Sequence, residues 1–237
     1  MSCLKAFGLA FNMLTIFPLF TIHSFDTGIN GRSAIFYPLI GFLLGGVLYG
    51  LYALLSAHLP QTHLAVILFA LSILFSGALH LDGLADTIDG LFVDKNRSLE
   101  VMKDPHIGGM GMVLSVVFLV VKLSAFIHFQ AWELLAVVML LSRFGAVVAI
   151  YNFRYISSGV GALIKEELQT RYLLTTLLYT SLLAFLFGFS SGILLTLLTT
   201  FLLGSLLSRR YGGLNGDMYG FIIEINELIL LNYLIFQ

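Results

Sequence analysis

Seven apolar stretches, each near the length that crosses a lipid bilayer, constrain this 237-residue chain more than any other feature. A helix needs roughly 20 apolar residues to span the hydrocarbon core. The stretches run over 34–57, 62–81, 111–129, 132–151, 172–187, 192–207 and 219–236. The first carries Gly41, Gly45, Gly46 and Gly50, a composition that favours close helix packing. Segment 4–20 is also apolar but is interrupted by Asn12 and Pro18, and reads as an interfacial or re-entrant helix, with an eighth span as the alternative. The expected fold is therefore all-α: one polytopic membrane helix bundle of about seven transmembrane helices plus that N-terminal helix, with residues 1–237 forming a single membrane-embedded domain.

Composition narrows the function classes. Apolar residues make up 59% of the chain and charged residues 11%, against about 45–50% and about 25% in soluble domains. That excludes an ordinary soluble enzyme and a disordered chain. With 12 basic and 13 acidic residues the net charge is −1, which does not suit a nucleic-acid binder. The single cysteine, Cys3, excludes an intramolecular disulfide and a cysteine-based metal site. Composition leaves the oligomeric state open, a homo-oligomer included.

Basic residues set the expected orientation. Arg32 precedes the first span; Lys95, Arg97 and Lys103 follow the second; Arg154, Lys165 and Arg171 follow the fourth; Arg209 and Arg210 follow the sixth. The intervening connections carry no Lys or Arg. This alternation assigns the basic segments to the cytoplasm, and nearly all the acids share their side, with Glu133 opposite.

The most informative stretch is 80–90, His-Leu-Asp-Gly-Leu-Ala-Asp-Thr-Ile-Asp-Gly. Asp82, Asp86 and Asp89 stand at i, i+4 and i+7, within roughly 60° of one helix face. Three carboxylates so close repel unless a cation holds them. Oxygen donors alone suit a hard ion such as Mg²⁺ or Mn²⁺. A merely solvated helix end is the plainer reading, but such ends rarely alternate acids with Leu, Ala and Ile. A second cluster joins Gly212, Gly213, Gly216 and Asp217 to Glu224 and Glu227, the last two inside an apolar stretch. Intramembrane carboxylates mark functional positions by default, or pair with cations such as Lys122 and Arg143, themselves intramembrane. A third segment, 102–111, holds Lys103, Asp104, His106, Gly108 and Gly111, a turn able to offer backbone N–H groups to an anion. His80 can orient an aspartate or a phosphate, or close a helix end; His23, His58, His63 and His128 read as interfacial residues.

Acids gathered at one membrane face, with cations interspersed, suit transfer chemistry on a diphosphate. An ion-coupled transporter is the alternative from another class, but it would place its acids near the midplane.

These residues resemble the membrane cobalamin synthases, the adenosylcobinamide-GDP ribazoletransferases. The run 80–90 is similar to the family's aspartate signature. Tyr37-Pro38-Leu39-Ile40-Gly41 with Gly45, Met102-Lys103-Asp104 with Gly108 and Gly111, Lys122, Ser142-Arg143, and Gly212-Gly213 through Asp217, Glu224 and Glu227 follow in matching order. The resemblance implies a Mg²⁺-dependent enzyme of the bacterial inner membrane, acting at its cytoplasmic face on adenosylcobinamide-GDP and α-ribazole or its 5′-phosphate. Asp82, Asp86 and Asp89 are the expected catalytic metal ligands, with Asp217 and Glu224 supporting a second ion or the substrate and Asp104 as a further carboxylate or base. Lys122, Arg143, Arg154, Gly213, Glu224 and Glu227 would surround the substrate. A CDP-alcohol phosphotransferase uses similar acidic logic, but its Asp-Gly…Ala-Arg pattern is missing: Gly90 is followed by Leu91-Phe92-Val93.

Overall fold

A computed structural model describes residues 2–21, 26–104 and 106–237. His23 and Pro105, both part of the sequence reading, lie outside the described residues. The helices are α1 (Ser2–Leu14), α2 (Ile29–Ser33), α3 (Tyr37–Leu55), α4 (Gln61–Phe75), α5 (Leu79–Leu91), α6 (Lys95–Val101), α7 (Gly109–His128), α8 (Leu135–Asn152), α9 (Val160–Glu167), α10 (Thr170–Leu186), α11 (Ser191–Tyr211) and α12 (Gly216–Ile235). Among the described residues the β pairing is a lone parallel bridge, Tyr155 to Leu214.

The bundle is organised around α8, which is apolar through Ile150 except for Ser142 and Arg143 and is buried almost throughout. α7 is as apolar but only a third buried, so it is packing rather than composition that sets α8 in the middle. α3, α10, α11 and α12 pack against it. Gly41 and Gly45 make the α3–α8 approach possible: an added Cβ would lie 2.2 Å from the Met139 carbonyl oxygen and 2.5 Å from the Ala136 Cα. Gly46 and Gly50 face open space, so only half of the glycine-rich stretch serves packing.

Among the described residues, five segments are long and apolar enough to cross a membrane: Ile29–Leu55, Gly109–His128, Trp132–Asn152, Ser191–Tyr211 and Gly216–Ile235. The expected count of seven is not confirmed. The stretch 62–81 is not one helix: α4 ends at Phe75 and α5 departs from it at 81°. Gly77 and Ala78, at φ +64° and +55°, turn the chain there through the left-handed region, and the freed Phe75 carbonyl accepts from Ile16 N–H. Counting that bent pair as one crossing gives six. α10 has 17 residues, about 25 Å of helix against about 30 Å of hydrocarbon. α1 is shorter still, and the chain doubles back after it. Asn12 holds the Phe20 backbone, and the Phe20 ring packs edge-on against Phe7 and Phe11.

Candidate active site

The site begins with a close crossing of α5 and α12. A Cβ on Gly83 would meet the Asp217 carbonyl oxygen at 2.7 Å, and one on Gly220 would meet the His80 carbonyl oxygen at 3.0 Å. Two glycines, 137 positions apart in the chain, thus let the helices carrying Asp82 and Asp217 touch backbone to backbone. Asp82 and Asp217 line one pocket of about 210 Å³. Asp82, Asp217 and Asp89 all press their negative charge on the Asp86 carboxylate. No ion pair satisfies Asp82, Asp86 or Asp217 among the described residues.

One helix face does not give its three aspartates one environment. Asp82 is exposed and Asp86 half-buried, whereas Asp89 is 7% exposed. Asp89 accepts N–H donations from Gly108 at 2.7 Å and Gly111 at 2.6 Å, one to each carboxylate oxygen. It therefore caps the start of α7, where a negative charge meets both orphan amides and the positive helix end. The glycines are small because of it: a Cβ on Gly108 or Gly111 would lie 2.4 or 2.2 Å from an Asp89 oxygen. The glycine turn expected to receive a substrate anion receives this carboxylate instead.

Asp217 is held by its neighbour. Asn215 caps α12 by accepting from Met218 N–H and donates through Nδ2 to Asp217 at 2.8 Å. The Tyr155 ring stacks near Tyr219, with centroids 6.1 Å apart. Burial, then the Asp217 charge, pushes the Tyr155 hydroxyl above the usual phenol pKa. The sequence reading missed Tyr155, Asn215 and Tyr219. Asn before a helix was a legible cap signal; nothing in the sequence tied the tyrosines to Asp217.

Lys122, Arg143, Glu224 and Glu227 form a buried quartet. Lys122 Nζ donates to Glu224 at 2.6 Å and lies 2.9 Å from Glu227; Arg143 donates to Glu227 and, at 2.8 Å, to Ser142 Oγ. Two cations and two acids cancel, all 6% exposed or less. The structure thus pairs these four with one another, on the α7, α8 and α12 faces that meet inside the bundle.

The remaining expected site residues scatter. Asp104 is exposed and accepts from His106 N–H at 3.0 Å and from its ring Nδ1 at 2.8 Å, which holds its carboxyl below the usual range. Gly213 packs under the Arg154 carbonyl, where a Cβ would lie 2.3 Å away, and supports the bridge between the two connections. The Arg154 side chain is exposed. Lys165 donates to the Ile150 and Tyr151 carbonyls at the end of α8, and Glu167 accepts from the Asn30 and Gly31 amides at the start of α2. Arg210 donates to the Leu91 and Val93 carbonyls and Tyr211 to that of Gly90, closing the end of α5. These bonds gather the connections that carry Lys95 and Arg97, Arg154 and Lys165, and Arg209 at one end of the bundle, beside the aspartates.

Asp82, Asp86 and Asp217 are hard oxygen donors without a counter-charge, a set that fits Mg²⁺ or Mn²⁺. Among the described residues no three His, Cys, Asp or Glu side chains already stand in metal-holding geometry.

A family model described as cobalamin-5-phosphate synthase matches residues 6–235. Relatives carrying the name adenosylcobinamide-GDP ribazoletransferase include one from Desulfitobacterium hafniense (strain Y51), 33% identical over 98% of this chain and 96% of the relative. Another, from Syntrophobacter fumaroxidans (strain DSM 10017 / MPOB), is 37% identical over 95% and 96%. A third, from Pseudomonas syringae pv. syringae (strain B728a), is 37% identical over 85% and 86%. No solved structure matches. With the match running through the aspartate helix, the α12 cap and the buried quartet, the chain belongs to the cobalamin-5-phosphate synthase family of transferases.

Proposed function

We propose that the chain transfers the adenosylcobinamide-phosphate group of adenosylcobinamide-GDP to the ribose 3′-hydroxyl of α-ribazole or its 5′-phosphate. The convergence of Asp82 and Asp217 on one pocket, with Asp86 beside them, carries this reading. The hydroxyl oxygen bonds to the phosphorus next to the cobinamide, that phosphorus loses its bond to the bridging oxygen, and GMP leaves with the electron pair. The hydroxyl proton passes to a carboxylate of the cluster. Asp82, Asp86 and Asp217 are the residues that would hold Mg²⁺, which when bound neutralises charge growing on the leaving phosphate. Asp89 serves one step back, fixing the α5–α7 junction from which Asp82 and Asp86 project.

The quartet of Lys122, Arg143, Glu224 and Glu227 sets the α7–α8–α12 geometry, and Arg154, exposed, is one cation available to a phosphate. The basic connections beside the aspartates support a cytoplasmic site in the inner membrane.

The test is a product assay with purified protein in detergent, Mg²⁺ and both substrates. Cobalamin product and GMP should form in equal amounts and stop on chelation. Undiminished GMP release by Asp82→Asn would refute the ligand assignment.

A further inference from the structure

The pocket that Asp82 and Asp217 share is mostly apolar beyond them. Met13, Leu14, Ile150, Ile164 and Ile223 contribute, with the Tyr37 ring. His80 and Tyr219 interrupt this lining. Both line the pocket, and His80 Nε2 and Tyr219 Oη are buried without a hydrogen-bond partner. His80 is 4% exposed and Tyr219 is 7% exposed. Buried polar atoms are nearly always paired, and two of the seven orphaned side-chain atoms among the described residues belong to side chains that line this one cavity, which points to a ligand that pairs them.

Resting on the transferase reading above, we propose that this pocket receives the uncharged aromatic base of the acceptor nucleoside, with His80 and Tyr219 as its polar contacts. The apolar walls beyond the aspartates would desolvate a phosphate, which belongs instead at the Asp82–Asp217 end, where a bound cation would offset the like charge. A lipid tail would fill the walls and leave both polar atoms unpaired. A guanine carries more donors and acceptors on its edge than these two atoms answer. An aromatic base with one bare ring nitrogen satisfies one orphan, and a sugar hydroxyl satisfies the other. Tyr37 and Tyr219 present ring surface to such a base. Seated this way, the base directs its sugar toward Asp82 and Asp217, where the attacking hydroxyl is needed. His80 and Tyr219 are then specificity residues for the acceptor.

The experiment has two arms. In a Cys3→Ser background, Met13→Cys places one thiol on the pocket wall, and maleimide labelling is followed in lipid nanodiscs. Benzimidazole, a neutral bicycle with one bare ring nitrogen, should slow labelling; GMP and added short-chain phosphatidylcholine should not. In the second arm, Tyr219→Phe should raise KM for α-ribazole roughly three- to tenfold, the loss of one hydrogen bond, and by more than it raises KM for adenosylcobinamide-GDP. Protection by GMP or lipid but not benzimidazole overturns the assignment, as does an unchanged α-ribazole KM in an active Tyr219→Phe enzyme. Failure of the parent enzyme to form any product refutes the transferase reading instead, and the labelling arm still reports on the pocket.

Discussion

Replacing Lys122 by Met tests whether the buried quartet is held together by charge. Lys122 Nζ touches both acids, Glu224 at 2.6 Å and Glu227 at 2.9 Å, whereas Glu227 keeps Arg143 when the lysine is gone. The variant therefore leaves Glu224 as a buried carboxylate with no cation and the interior with one excess negative charge. Removing one partner of a buried pair typically costs about 3–5 kcal/mol, and the insertion penalty for a lone acid at a span centre, about 2.5–3.5 kcal/mol, bounds it similarly. Glu224→Gln should cost less, about 1–2 kcal/mol, because the one excess positive charge it leaves is shared by Lys122 and Arg143, both still on Glu227, and the new amide can still accept from Lys122. The double variant, Lys122→Met with Glu224→Gln, should recover more than half of the lysine loss, since no charge is then stranded. Unfolding free energies measured by steric trapping in bicelles decide it. A Lys122→Met cost below about 1 kcal/mol, or a Glu224→Gln cost equal to it, would show that the charges are not what holds these helices.

Asp89→Asn removes the charge that caps α7 and puts an amide where one backbone N–H now points, so it should lower stability by about 1–2 kcal/mol. Asp82→Asn, exposed and unpaired, should leave the melting temperature in place while stopping turnover; equal destabilisation by the two would contradict their separation. Gly83→Ala drives a methyl into the Asp217 backbone and should cost about 1–3 kcal/mol together with activity, read by thermal melting and GMP release. Asp217→Asn should lower the raised Tyr155 pKa by removing its charge contribution while the larger burial effect stays, followed by NMR of ring-labelled tyrosine. No movement of Tyr155 would place Asp217 too far away to matter.

Periodicity and composition decided the class of fold, because a bilayer accepts only chains whose backbone bonds close within helices. Which span lies at the centre was not legible, because residues 111–129 and 132–151 are equally apolar and only packing buries the second. The spacing of Asp82, Asp86 and Asp89 decided that they share a helix face, and an acid within a span announced that Glu224 and Glu227 need partners. Which partners was beyond local reading: Lys122 lies 102 positions from Glu224, and only the packing of α7 against α12 joins them. The break between α4 and α5 was hidden for a related reason. Residues 62–81 are mostly apolar and carry no Asp, Glu, Lys or Arg, so hydropathy does not register a turn that Gly77 and Ala78 make by torsion. Tertiary structure likewise divided one aspartate face into a cap, Asp89, and an unpaired pair, Asp82 and Asp86. The reason is distance: helical spacing sets the direction in which a side chain projects, and only the neighbouring helices determine what it meets there.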